Sequence, residues 1–172
     1  QLIKNALINA VQKRVQNTDR PIACLLSGGL DSSLITALVN QHTQSRQLET
    51  YSIGIKGSED LKYAQEVAKH IGSIHHPIEV NEQEFLDNIP NVIEAIESYD
   101  TTTVRASVGN WLICKYIKEN SEAKVIFNGD GADEVMGGYL YFHMAPDCIE
   151  FDKESRKLLS HIHFFDVLRS DR

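Results

Sequence analysis

The sequence predicts an α/β fold, a mainly parallel sheet with helices on both faces, and three observations predict it. Short apolar runs alternate with stretches of helical period along most of the chain. The first run, Ile22-Ala23-Cys24-Leu25-Leu26, is apolar throughout, as a strand buried on both faces requires. Two of the runs end in glycine-rich loops that carry carboxylates, at the strand ends where such sheets bind ligands.

The elements follow in order. Leu2, Ile3, Ala6, Leu7, Ala10 and Val11 fall at helical spacing and predict an opening amphipathic helix. Residues 17–21 read as a turn before the first strand. Ser27-Gly28-Gly29 ends that strand, and Leu34 to Val39 resumes a helical pattern. Tyr51 to Ile55 reads as a second strand. Leu61, Ala64, Val67, Ala68 and Ile71 mark a helix face, with Ser58 or Asp60 placed to cap its start and Gly72 to end it. Ile74, His76, Ile78 and Val80 alternate as a third strand. Asn81 and Glu84 form a capping-box pattern, and Pro90 breaks that helix or begins another. Val104, Val108, Trp111 and Leu112 share a further helix, and residues 124–127 make a fourth strand. Beyond Gly138 aromatic residues crowd helical segments, read as core that covers a sheet edge or docks on a further part of the protein.

Composition bounds the function. The chain has 172 residues, 42% hydrophobic and 24% charged, which fits one globular domain rather than disorder. Its net charge of −7 counts against nucleic acid as a partner. No apolar run reaches the roughly 18–20 residues of a membrane span, so no membrane is expected. Cys24, Cys114 and Cys148 are dispersed and odd in number, which fits a reducing, cytoplasmic setting. Cys24, inside a strand, is expected to be buried. His75 and His76 point to opposite faces of a strand, and His161 and His163 are separated on a helix, so neither pair is a metal site.

The first loop, Ser27-Gly28-Gly29-Leu30-Asp31-Ser32-Ser33, joins a buried strand to a helix. Its glycines allow close backbone approach, the helix N-terminus offers unpaired N–H groups, and three hydroxyls add donors. This suits a phosphate. Asp31 suits one only if a divalent cation bridges the two, for which Mg²⁺ is the usual choice. The second loop, Asn128-Gly129-Asp130-Gly131-Ala132-Asp133-Glu134, places Asp130, Asp133 and Glu134 close together. In a sheet ordered 3-2-1-4, the two loops flank one crevice. Two carboxylates on Mg²⁺ and a third as acid or base is then a coherent division of labour.

These residues resemble the synthetase domain of the asparagine synthetase family, within the N-type ATP pyrophosphatase superfamily. SGGLDSS is similar to the superfamily's pyrophosphate loop. YDTTTVRAS (Tyr99–Ser107), GGYLYFH (Gly137–His143) with Ala145-Pro146, and FDVLRSDR (Phe165–Arg172) resemble asparagine synthetases in particular. The resemblance implies a Rossmann-like, adenine nucleotide α-hydrolase-like fold. It makes residues 1–172 a partial synthetase domain, truncated at its C-terminal helical part and lacking an N-terminal glutaminase domain. It implies an ATP-dependent carbon–nitrogen ligase that uses ATP and Mg²⁺. The aspartate side chain attacks the α-phosphorus, pyrophosphate leaves, and ammonia, normally from glutamine, displaces AMP to give asparagine. A β-lactam-forming synthetase, or a nucleotide-binding module without turnover, is the alternative.

Carried over by position, Leu26, Ser27, Gly28, Gly29, Asp31, Ser32, Ser33, Ile53 and Gly129 are expected to bind ATP or pyrophosphate. Asp31 and Asp133 would hold Mg²⁺, Asp130 would be the base, Arg105 an anion partner, and Glu134 a substrate contact. The second loop departs from the family's usual Ser-Gly-Glu-Gly-Ser/Ala-Asp-Glu. Asn128 stands for the serine and Asp130, one methylene shorter, for the first glutamate. Partners are small molecules and the glutaminase domain; a homodimer is left open.

Overall fold

The computed structural model describes residues 1–43 and 47–161. Its strands are β1 (Ile22–Leu25), β2 (Glu49–Ile55), β3 (Ile74–Val80) and β4 (Val125–Phe127). They form one sheet, all pairs parallel, in the order β3-β2-β1-β4. This is the order that sets the two glycine-rich loops side by side. β1 is one residue shorter than expected, but the Leu26 N–H still donates to the Tyr51 carbonyl at 2.8 Å. β2 begins two residues earlier than its apolar run, because Glu49 pairs with both neighbours.

Helices cover both faces. α1 (Leu2–Gln16) and α2 (Leu30–His42) close over Cys24 and Leu48, with Val11, Val15, Leu38 and Val39 between them. α6 (Thr101–Asn120) covers the opposite face, setting Ile113 and Ile117 against Ala23 and Tyr51. α3 (Glu59–Ile71) packs Ala64 and Ala68 on Leu26. Only part of the predicted face of α1 is used: Leu2 and Ile3 are exposed, since the first turn extends past the sheet.

The local signals act largely as expected. Gly72 ends α3 in the left-handed region at φ 78°. Ser58 occupies the N-cap of α3 but makes no capping bond. Asn81 and Glu84 complete a reciprocal capping box at α4 (Glu82–Asp87). Pro90 lies in the first turn of α5 (Ile89–Ile96), where a missing N–H costs little. Asp100 caps α6 by accepting from the Thr103 N–H at 2.7 Å.

Beyond β4 come α7 (Ala132–Met136), a 3-10 turn over Leu140–Met144 and α8 (Cys148–Ser160). The aromatic residues here, expected to cover a sheet edge or dock on a further part of the protein, pack on one another. Tyr139 stacks on Tyr141, Tyr141 meets Phe142, and Phe142 meets Phe151, in a cluster of its own whose tyrosines are exposed. Trp111 is half-buried on α6, with the Lys115 ammonium 5.2 Å above its ring. His163, Phe164 and the Phe165–Arg172 string lie outside the described residues. Among the described residues, no helix is long and apolar enough to cross a membrane.

Candidate active site

The first loop is shaped by its own hydroxyls. The Ser27 N–H donates to Ser32 Oγ at 3.2 Å, and the Gly29 N–H to Ser27 Oγ at 3.3 Å. Ser32 Oγ lies 3.2 Å from the Gly29 carbonyl and 2.9 Å from Ser27 Oγ. The hydroxyls predicted as ligand donors therefore first hold the turn. Gly28 has φ 84°, and a Cβ there would lie 2.5 Å from the Ala64 amide nitrogen, so only glycine lets the loop rest on α3. Gly29 is the N-cap of α2 and supplies no side-chain cap. The first N–H groups of a full-length helix thus face the crevice without a capping oxygen, an arrangement that attracts anions.

The second loop seats directly on the first. A Cβ on Gly129 would lie 2.7 Å from the Ser32 amide nitrogen and 2.9 Å from the Asp31 carbonyl carbon, so the two backbones touch. Gly131, at φ 91°, turns the chain into α7. The Asn128 amide donates to Asp130 Oδ2 at 2.9 Å. Glu134 accepts from the Tyr139 hydroxyl. That bond, then the local backbone, holds the Glu134 carboxyl below its ordinary range, while Glu134 pushes the Tyr139 hydroxyl up to about 12. Gly138 lies so close to Asp133 Oδ1 that any side chain there would displace the carboxylate.

Between the loops is a cavity of about 380 Å³. Ser27, Gly29, Asp31 and Ser32 line one side, and Gly129, Asp130, Asp133 and Glu134 the other. The remaining predicted site residues are placed elsewhere. Leu26 is buried beneath α3, with 1% of its surface exposed. Gly28 rests against α3 and is not part of the cavity wall. The Ser33 hydroxyl is buried, with no partner among the described residues. Ile53 lines a second, apolar cavity of about 400 Å³ with Val80, Phe85 and Leu86. Arg105 is exposed on α6 and is not part of the wall of the first cavity.

Three wall residues escaped the sequence reading, the first being Leu25, read only as part of a strand. Asn110 comes from the middle of α6 and carries no motif, so only the tertiary fold reveals it. Tyr139 was visible in Gly137–His143 but was grouped with the aromatic core. The residues set aside behave as expected. Cys24 is fully buried, and burial pushes its thiol up to about 12. His75 bonds through one ring nitrogen to Thr50 and through the other to Ser52, each at 3.0 Å, while His76 stacks on Tyr51.

Solved structures share this fold. A glutamine-dependent NAD+ synthetase from Acinetobacter baumannii, in complex with ADP, aligns over 77% of this chain and 26% of its own, with a TM-score of 0.57 and 19% identity. An NH3-dependent NAD synthetase from Campylobacter jejuni aligns over 81% of this chain and 60% of its own, with a TM-score of 0.54 and 18% identity. At such identities the likeness is one of fold, a Rossmann-like α/β domain. Sequence carries the assignment further. The family model described as asparagine synthase matches residues 2–165. The glutamine-hydrolysing asparagine synthetase of Bos taurus is 50% identical over 168 residues, and that of Homo sapiens 49% over 168. The chain belongs to the asparagine synthase family. The match covers 95% of this chain, which spans about 30% of the length of those relatives.

Proposed function

We propose that this chain is the adenylating part of a glutamine-hydrolysing asparagine synthetase, its glutaminase domain lying in the rest of the protein. The observation that carries the reading is the seating of Gly129 against the Ser32 amide. It closes a crevice between an uncapped helix N-terminus and two carboxylate-bearing loops. An adenine nucleotide fits there with its phosphates at the first loop. The aspartate side-chain oxygen forms a bond to the α-phosphorus, and the α–β bridging bond breaks with its electron pair leaving on pyrophosphate. Ammonia then forms a C–N bond at the activated carbonyl, the C–O bond to AMP breaks, and the surplus nitrogen proton passes to Asp130.

Asp31 and Asp133 offer hard oxygen donors from opposite walls. Among the described residues no three His, Cys, Asp or Glu side chains come together to hold a metal. A Mg²⁺ ion bound with phosphates needs only one or two carboxylates, so this donor set fits it. Such an ion would neutralise charge on the departing phosphates. Arg105 forms no ion pair among the described residues and is proposed as a cationic contact for substrate. Glu134 is proposed as a substrate contact, held in its ionised form by Tyr139. The three free cysteines suit a reducing compartment, which we propose is the cytoplasm.

The test is pyrophosphate release by the full-length protein given ATP, Mg²⁺ and aspartate. Aspartate-dependent release is expected, and Asp31→Asn should abolish it. Nucleotide binding without release would make the chain a binding module. Release only with a different amino acid would move the activity to another acceptor.

A further inference from the structure

One polar bond on the cavity wall joins two residues of which the proposed reaction uses only one. Asn128 Nδ2 donates to Asp130 Oδ2 at 2.9 Å, and both side chains line the cavity. We propose that Asn128 is a positioning residue that aims the Asp130 carboxylate during amide formation. The inference rests on the functional reading above and deepens it.

Asp130 is exposed, and its bond to Asn128 is the one side-chain hydrogen bond it makes among the described residues. Without it the carboxylate would turn freely about its side-chain torsions. With it, Oδ2 is held by the amide and Oδ1 remains available to accept a proton. The donor is neutral, so it orients the carboxylate without setting a competing cation beside it.

The backbone beneath the pair is fixed as well. Gly129, between the two residues, is pressed against Ser32 and Asp31, and Gly131 follows in the left-handed region at φ 91°. The two Cβ atoms are therefore set, and the side-chain bond removes most of the freedom that is left. The covalent lengths agree with this pairing. Asparagine reaches one bond further from its Cβ than serine, and aspartate one bond less far than glutamate. The two departures from the family's loop pattern thus offset each other across Gly129, which one change alone would not do. Precision of this order matters, since a misplacement of about 1 Å can cost on the order of 100-fold in rate.

The experiment uses the full-length protein with ATP, Mg²⁺ and aspartate, and ammonia as nitrogen source. It follows a single turnover, with enzyme in excess over ATP, and measures the rates of pyrophosphate release and of asparagine formation in the same samples. Asn128→Ala and the milder Asn128→Ser are expected to lower the ratio of the asparagine rate to the pyrophosphate rate about tenfold, the scale of coupling between residues in contact, and Asp130→Glu is measured alone beside them. The double variant Asn128→Ser with Asp130→Glu is expected to recover most of that ratio. A ratio unchanged in both Asn128 single variants overturns the proposal. So does an equal slowing of both steps, which would mark Asn128 as structural. So does a double variant whose loss is the product of its two single losses. If the unaltered protein releases no pyrophosphate in response to aspartate, the functional reading itself fails and takes the proposal with it.

Discussion

At the scale of single residues, glycine decides the site more than any charged group. Gly28 and Gly129 carry no chemistry, yet each stands where a Cβ would overlap backbone atoms, of α3 and of the opposite loop respectively. A neighbouring backbone cannot yield as a flexible side chain can. Gly129→Ala is therefore expected to part the two loops and weaken ATP binding by at least tenfold, with little change in helical content. Calorimetric titration of nucleotide and a circular dichroism spectrum check both halves; unchanged affinity would show that the loops can separate without harm. The glycines were legible in the sequence as close-approach residues, but what they approach was not. Gly28 was expected at the ligand, and the place its Cβ would take is filled by Tyr63 and Ala64. Asn110 shows the same limit, since a residue in the middle of a long helix has no local signal that it lines a cavity.

Among elements, those whose ends are fixed by short-range chemistry were the ones the sequence described well. The Asn81–Glu84 box and the Gly72 cap are local bonds, and both form as read. The Asp100 cap lies at the start of α6, the helix that packs Ile113 and Ile117 on one face of the sheet. Asp100→Ala should lower stability by about 1 kcal/mol through loss of this cap. The denaturant midpoint of the transition reporting this domain measures it, and no shift would mean that packing alone holds the end of α6. Periodicity did less well where docking decides the outcome. It marked Leu2 and Ile3 as part of the buried face of α1, yet both are exposed. A repeat shows which side of a helix is apolar. It does not show how much of that side a neighbour covers.

For the whole molecule, the sheet has the order β3-β2-β1-β4, the one in which the two loops were expected to flank one crevice. The overall charge of −7 also has a local meaning, for Asp31, Asp130, Asp133 and Glu134 all line the proposed phosphate site. Stability should depend on pH through His75. Burial, and then the neighbouring His76, push this imidazole below its ordinary value of 6.5. Between that lowered value and 6.5 the unfolded chain binds a proton that the native sheet does not. The stabilisation is fully present above 6.5 and is lost as pH falls toward the native value. His75→Gln should flatten the fall in stability on acidification, measured as melting temperature against pH; an unchanged slope would assign that fall to other groups.

The position of β4 has a consequence for the order of assembly. β4 is three residues long, lies at the edge of the sheet among the described residues and follows β1 in sequence only after α6, whereas β2 and β3 are seven residues each and nearly adjacent in sequence. Closing so long an intervening segment onto so short a strand makes this pairing the slowest to form and the easiest to lose. The crevice depends on it, because one wall hangs from β4. A growing chain would hold its first loop, complete in sequence, well before it could grip a nucleotide. A denaturant titration should then release bound nucleotide at a lower midpoint than it removes helical signal. Coincident midpoints would show that the edge strand is held as firmly as the rest of the sheet.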